Sequence, residues 1–195
     1  MRPSLPSRLW RDRRGATIVE FAIVCPVLCL TLLGFMELGY KSYVGSIVQG
    51  ALHEAARSAT VGDKTGAQID ALVQDRLKSF SSGATITINK SSYTNFSDVK
   101  MPEKITQDTA PLGSYNTGDC YEDANGNGAY DIDRGKSGLG GSDDIVNYEI
   151  VMTFPPIVPL WRMIGGPSTE TIRASTVLRN QPYASRTTSV TVRCT

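Results

Sequence analysis

Residues 15–37 read GATIVEFAIVCPVLCLTLLGFME, an apolar stretch in which Glu20 is the one charged residue before Glu37. As a helix, the uncharged part from Phe21 to Met36 covers about 24 Å, and residues 16–39 cover about 36 Å, which is enough to cross the hydrocarbon core of a bilayer. Five arginines and one aspartate precede this stretch, so the positive-inside rule predicts a cytoplasmic N-terminus. We therefore predict a membrane-spanning helix at residues 16–39, with the bulk of the chain on the far side.

The carboxylate of Glu20 is out of place in such a helix. An acid at the centre of a spanning helix costs about 2.5 to 3.5 kcal/mol on insertion scales, and less near an interface. A nearby cation would offset this cost. If the chain is cut after Gly15, the freed amino group of Ala16 becomes that cation, and a neighbouring copy or a related subunit could present it to Glu20.

These residues carry a family resemblance. Gly15, followed after four residues by Glu20-Phe21 and then by Cys25-Pro26 in a long apolar helix, resembles the processing site of the TadE-like pseudopilins of tight adherence (Flp) pili. Residues 120–128, CYEDANGNG, resemble the Asn-Gly-rich loop of that family. Residues 179–183, RNQPY, resemble its Arg-Asn-Glu-Pro-Phe tail, with Gln and Tyr in place of Glu and Phe.

The resemblance implies a structural role in pilus assembly. It implies that residues 1–15 are a basic leader removed by a prepilin peptidase between Gly15 and Ala16, and that Glu20 and Phe21 direct assembly. The implied surroundings are the bacterial inner membrane, with the head in the periplasm, and the implied partners are other pseudopilins and the major Flp pilin. The alternative is an uncleaved anchor that carries a calcium-dependent binding or adhesion module.

Charge and motifs exclude several other classes of protein. Removal of residues 1–15 leaves 15 basic and 18 acidic residues, a net charge of −3, so the mature chain has no nucleic-acid-binding character. An ordinary secretory signal peptide is disfavoured because the apolar run continues past a typical h-region. His53 is the single histidine and no catalytic triad, HExxH motif or complete phosphate loop is present, so we expect no enzyme.

Helical periodicity continues beyond the membrane. Apolar residues recur at helical spacing through residues 40–60, which predicts an amphipathic continuation of the same helix that packs on the head. The stripe comprises Tyr40, Val44, Ile47, Val48, Ala51, Leu52 and Ala55. Gly62 and the turn after it are expected to end this helix. A second, short amphipathic helix is predicted from Ile69 to Phe80.

The remaining head, residues 61–195, is expected to be α+β. Alternating or apolar runs predict strands at residues 84–88, 145–154, 171–178 and 189–193. Residues 94–143 lose periodicity and are expected to form a long irregular segment. The fold predicted is a long N-terminal helix packed on a small antiparallel sheet, and the family resemblance makes it type IV pilin-like.

Within residues 119–144 lies a segment with the spacing of a calcium loop. From Asp123, oxygen-bearing side chains fall at the first, third, fifth and ninth positions, and glycine occupies the sixth. The candidate calcium ligands are Asp123, Asn125, Asn127, the carbonyl of Ala129, Asp131 and Asp133. The twelfth position is Arg134 where an EF-hand has glutamate, so a complete EF-hand is excluded. Asp143 or Asp144 could instead complete the site, and a metal-free Asn-Gly turn cluster is the alternative.

The four cysteines divide into two pairs. Cys25 and Cys29 lie one helical turn apart in the predicted span, where they suit the role of small apolar residues. Cys120 and Cys194 lie in the predicted head, where an oxidising compartment would favour a disulfide between them. The sequence alone does not establish that Cys120 and Cys194 are close in space.

Overall fold

The computed structural model describes residues 15–62, 64–80, 83–158, 162, 165–181 and 190–194. It divides into two compact units. The first, here called the anchor unit, combines the residues up to Tyr43 with Pro156–Ser168. The second, here called the head unit, combines Val44–Pro155 with Thr169–Thr195. The basic leader predicted at residues 1–15 lies outside the described residues except for Gly15.

A single helix, α1, runs from Ala16 to Val61 and contributes to both units. Its most apolar 18-residue window has a mean hydropathy of 2.4, and none of that window is buried. Large apolar side chains from Ile18 to Leu38 are exposed on all sides, whereas a core helix of a soluble protein would bury them. The N-terminal part of α1 therefore has the length, composition and exposure of a membrane anchor.

The C-terminal part of α1 supplies core side chains to the head unit. The buried residues of this part are Val44, Val48, Ala51, Leu52, Ala55 and Ala59. They reproduce the apolar stripe read from the sequence, although Tyr40 and Ile47 are only half-buried. Gly62 follows the helix with φ of 72°, a left-handed conformation that glycine adopts without strain.

The second helix, α2, runs from Gly66 to Lys78. A capping box at Thr65 begins it: Thr65 Oγ1 accepts from Gln68 N at 3.4 Å, and Gln68 Oε1 accepts from Thr65 N at 2.9 Å. Ile69, Val73 and Leu77 face the core, as the periodicity predicts. The prediction was wrong at the end of the helix, because Phe80 lies beyond it and is 39% exposed.

The strands form two antiparallel sheets, so the α+β prediction is confirmed. The larger sheet has the order β4-β1-β5-β6. Its strands are β1 (Thr85–Tyr93), β4 (Lys136–Ser137), β5 (Ile145–Phe154) and β6 (Glu170–Arg179). The central strand β5 buries most of its side chains, and it pairs along its whole length with β6 and over nine residues with β1.

The smaller sheet was not predicted. Its order is β2-β3-β7, from strands β2 (Ile105–Gln107), β3 (Cys120–Asp123) and β7 (Thr191–Cys194). The expectation that residues 94–143 lack regular structure was therefore wrong: they hold β2, β3, β4 and a 3₁₀ turn at Phe96–Asp98. These strands have four residues or fewer, which is too short to show periodicity in the sequence. Buried acidic side chains and links between neighbouring strands hold them in place instead.

Candidate functional site

The predicted processing site lies at the start of α1. Gly15 is an exposed turn residue whose carbonyl accepts from Val19 N at 3.2 Å, and the helix begins at the next residue, Ala16. A Cβ added to Gly15 would meet no atom within 4 Å. A cut between Gly15 and Ala16 would therefore leave the helix almost intact, with a free amine at its first residue.

The predicted assembly residues lie on the exposed surface of the same helix. The side chain of Glu20 is exposed, and that of Phe21 is 65% exposed. Glu20 begins the second turn of α1, so its carboxylate is within the reach of a neighbouring chain. Because an exposed carboxylate here would face lipid, a positive group from another subunit would lower its free energy.

The predicted calcium ligands do not all converge. Asn125, Asn127, Asp131 and Asp133 line one polar cleft together with Lys136. Within it, the Nδ2 groups of both asparagines donate to Asp131 Oδ2. The Oδ1 atoms of the same two asparagines accept hydrogen bonds from backbone N–H groups of the loop. Asn125 Oδ1 accepts from Asn127 N at 3.0 Å, and Asn127 Oδ1 accepts from Ala129 N at 2.7 Å. Hydrogen bonds of the asparagine side chains therefore stabilise the loop.

Asp123, the first predicted ligand, is committed to other partners. Its side chain is fully buried and accepts from Arg193 Nε at 2.6 Å. It also accepts from Gly126 N at 2.7 Å and from Gly128 N at 3.0 Å. The guanidinium of Arg193 therefore supplies positive charge to this side of the loop, and it comes from β7, 70 positions away in the sequence.

The two residues proposed to complete the calcium coordination shell, Asp143 and Asp144, lie outside this cleft. Asp143 pairs with Arg179 Nη2 at 2.9 Å, and Asp144 Oδ2 accepts from Gly141 N at 2.6 Å. Neither lines the cleft of Asp131 and Asp133. Asp133 itself accepts from the hydroxyl of Tyr93 at 3.0 Å and from Gly135 N at 3.0 Å.

Sequence reasoning missed Glu103, a buried acid that closes the loop. Its carboxylate accepts from Ala124 N at 2.9 Å and from Asp131 N at 3.2 Å, so one side chain holds both ends of the segment. Burial raises the pKa of Glu103, the two backbone N–H groups partly oppose this, and nearby Asp123 and Asp131 raise it further. No periodicity or spacing marks Glu103, because it lies 20 residues before the loop in an irregular segment.

A disulfide fixes β7 beside the loop. Cys120 on β3 and Cys194 on β7 are directly opposite each other in the ladder and are bonded, with Cα atoms 4.0 Å apart. The ion pair between Asp123 and Arg193 lies on the same two strands. The two cysteines of the anchor unit are free thiols, and their sulfur atoms are 3.8 Å apart.

The tail motif fastens a second loop. Asn180 Nδ2 donates to the carbonyls of Leu139 at 2.7 Å and Gly141 at 2.8 Å, and Asn180 N donates to Asp144 O at 2.9 Å. With the ion pair of Arg179, these bonds tie residues 139–144 to the end of β6. Pro182 and Tyr183, which complete the predicted motif, lie outside the described residues.

The pairing of Asp123 with Arg193 leads to a pH-dependent prediction. Burial alone would raise the pKa of Asp123, but hydrogen bonds from Arg193, Gly126 and Gly128 hold that pKa below its usual value. A depressed carboxylate pKa contributes stability that is present at neutral pH and is lost as the pH falls through the folded-state pKa. We expect Arg193→Ala to lower the free energy of unfolding by about 1 to 3 kcal/mol at pH 7, and this deficit to shrink below about pH 4.

Thermal unfolding of the detergent-solubilised protein at pH 7 and pH 3 measures this difference. The matched control is Arg76→Ala, because Arg76 pairs with the partly exposed Glu54 at 3.2 Å and a surface pair contributes about 0 to 1 kcal/mol. If Arg193→Ala loses the same amount of stability relative to the unmodified chain at both pH values, the prediction is contradicted.

Comparison with known proteins gives one family. Residues 15–57 match the model of the TadE-like protein family, so the family resemblance read from Gly15 to Pro26 is confirmed, whereas the likenesses of residues 120–128 and 179–183 lie outside the match. The match covers α1 almost to its end and includes Gly15, Ala16, Glu20 and Phe21. No curated protein and no solved structure matches the chain.

Proposed function

We propose that this chain, which is TadE-like over residues 15–57, is a minor pseudopilin that is processed by a prepilin peptidase and assembles with a type IVb (Flp, tight adherence) pilus. The TadE-like family is a family of pilus structural components, and it suggests a role in the tight adherence pilus system. The proposed role is accordingly structural and not catalytic.

The observation that carries the proposal is the start of α1. The helix begins at Ala16, directly after the proposed scissile residue Gly15, and exposes the carboxylate of Glu20 within a run that is otherwise uncharged up to Met36. Cleavage would place a cationic amine at the same end of the helix as the anionic side chain. Two copies, or this chain and a related subunit, could then exchange amine and carboxylate across a helix–helix contact.

The proposed surroundings follow from the same helix. The apolar N-terminal part of α1 anchors the chain in a membrane, which we propose to be the bacterial inner membrane. The arginine-rich leader would remain in the cytoplasm by the positive-inside rule, and the head would lie in the periplasm. The proposed partners are the prepilin peptidase, other pseudopilins and the major Flp pilin.

Substitution of Gly15 tests the processing step. We expect Gly15→Leu to block removal of the leader, so that the precursor accumulates at the expense of the shorter mature form. A Cβ at Gly15 meets nothing within 4 Å, so the fold should tolerate the change and the defect should lie in recognition by the peptidase. Immunoblotting of membranes from cells that express the pilus genes measures the ratio of the two forms.

Gly39→Leu is the matched control, because Gly39 lies in the same helix and a Cβ added there would also meet no atom within 4 Å. It should be processed like the unmodified chain. An uncleaved anchor carrying a binding or adhesion module is the rival function. It predicts that the unmodified chain and both variants all keep the leader.

We further propose calcium as a stabilising ligand of the Asp131 cleft. The support is that Asn125, Asn127, Asp131 and Asp133 line one cleft. A calcium ion there would compete with the amide groups of the two asparagines for Asp131, and the asparagines would have to turn their oxygens inward. The carbonyl of Ala129 remains a candidate ligand, whereas Asp123 would contribute only by leaving Arg193.

Calcium titration of the full chain tests this proposal. We expect heat on binding and a melting temperature that rises with the logarithm of the calcium concentration above its dissociation constant. Asp131→Asn should remove both effects, whereas Asp98→Asn, which alters an acid paired with Arg134 outside the cleft, should retain them. No heat and no thermal shift at millimolar calcium would refute the site.

A further inference from the structure

The segment Pro156–Ser168, here called the strap, connects β5 to β6 of the head unit but belongs to the anchor unit. Among the described residues, a hydrogen bond joins it to α1: Val158 N donates to Glu37 Oε2 at 3.0 Å. These two residues are 121 positions apart in the sequence. The strap is therefore attached to the membrane helix itself.

Glu37 is an unusual anchor point. Its side chain is only 7% exposed, and its second oxygen, Oε1, is buried without a hydrogen-bond partner among the described residues. A carboxylate beside hydrocarbon is costly. The backbone N–H group of Val158 donates a hydrogen bond to one oxygen of Glu37. The strap therefore offsets part of the cost of placing this carboxylate beside hydrocarbon.

The position of Glu37 along α1 sets the level of the strap. From Ala16 to Met36 the helix rises about 30 Å, which equals the thickness of a bilayer's hydrocarbon core. Glu37 is the next residue, and it is the first charged residue after Glu20. If the hydrocarbon core begins at Ala16, its outer boundary falls near Glu37, and Val158, which is bonded to Glu37, lies at the same level.

The composition of the strap suits that boundary. Its described residues include the apolar Ile157 and Val158 and the cationic Arg162, and a long cationic side chain can lie along apolar surface while its charge reaches the water at a membrane interface. Ile157 is 48% exposed and Arg162 is exposed. If α1 spans a bilayer, an apolar side chain that is exposed at this level adjoins lipid.

We propose that the described start of the strap is a second membrane contact, in which Ile157 enters the outer lipid interface and is held at that level by Glu37 as a positioning residue. Lipid is favoured over a protein partner because the strap is bonded to the anchor helix at the hydrocarbon boundary. The inference requires that α1 spans a bilayer, and it does not depend on cleavage or on pilus assembly.

Depth-dependent fluorescence quenching tests the inference on the full chain. A single tryptophan is introduced as Ile157→Trp in a background with Trp10→Phe and Trp161→Phe, and the protein is reconstituted in phosphatidylethanolamine–phosphatidylglycerol vesicles. Lipids brominated at shallow or deep acyl positions then report the depth of the tryptophan. We expect strong quenching by the shallow bromines and weaker quenching by the deep ones.

Two further positions serve as controls. Leu28→Trp in the middle of α1 should be quenched most by the deep bromines, which verifies that the helix spans. Ile132→Trp replaces a side chain of the head unit that is 83% exposed, and its quenching gives the reference for an exposed tryptophan outside the anchor unit. If position 28 is quenched and position 157 is not, the inference is wrong. A blue shift at position 157 that depends only on the protein-to-lipid ratio would also overturn it, in favour of contact between copies.

The role of Glu37 is tested separately. Glu37→Gln keeps an acceptor oxygen for Val158 N and should leave the quenching at position 157 unchanged. Glu37→Leu removes the acceptor and should reduce this quenching, while position 28 stays quenched by the deep bromines. Equal quenching in Glu37→Leu and Glu37→Gln would show that the strap needs no bond to Glu37.

Discussion

Replacement of Glu20 by alanine should abolish recruitment of this chain into the pilus machinery while leaving it in the membrane. Loss of one partner of a buried ion pair costs about 3 to 5 kcal/mol, which corresponds to a roughly 150-fold to 5,000-fold loss in the association constant. Insertion should be unchanged or improved, because the acid is itself costly in lipid. Co-purification of the variant with other pilus subunits, together with membrane fractionation, measures both effects.

The helix supplies a matched control for this experiment. Glu54→Ala removes a carboxylate from the same α1, but one that pairs with Arg76 within the head unit. It should leave recruitment unchanged, and Glu20→Gln should behave like Glu20→Ala because a neutral amide does not pair with an amine. Normal piliation with Glu20→Ala would contradict the proposed role of the carboxylate.

Removal of the Cys120–Cys194 disulfide should produce the largest loss of stability. The bond closes a loop with a sequence separation of 74 residues, and the chain-entropy model assigns such a loop about 4 kcal/mol. Cys120→Ala with Cys194→Ala should therefore lower the melting temperature by about 10 °C. Thermal unfolding of the detergent-solubilised chain, followed by circular dichroism, measures this change.

The other two cysteines provide the control. Cys25→Ser with Cys29→Ser changes free thiols of the anchor unit, and it should leave the unfolding of the head nearly unchanged. A reducing agent should lower the melting temperature of this control as much as that of the unmodified chain, and should not lower that of the Cys120–Cys194 double variant further. Equal stability of all forms would show that the disulfide contributes nothing.

Periodic features of the sequence predicted the helices and the long strands. The length of the apolar run predicted the first part of α1, and the helical repeat of the stripe after it predicted the rest, because burial of one helix face leaves such a repeat. The runs at residues 145–154 and 171–178 predicted β5 and β6, since a strand of ten residues is long enough to show its composition. The short strands β2, β3 and β4 have no such repeat, and they exist through contacts between distant residues.

The candidate sites show the same limit. The proposed processing and assembly residues could be read from the sequence because they lie within a few positions of one another. The loop spacing identified Asn125, Asn127 and Asp131 as neighbours, which they are. It gave no sign that Arg193 would pair with Asp123, that Glu103 would close the loop or that Val158 would bond to Glu37, because these contacts join residues 20 or more positions apart.

The central claim is that Glu20 finds its counter-charge in the amine created by cleavage between Gly15 and Ala16. Intact-mass analysis of the native protein, purified from membranes of cells that assemble the pilus, tests this claim most directly. The account predicts a chain that begins at Ala16 and lacks the first 15 residues. A native chain that retains the arginine-rich leader while pili form normally would contradict it.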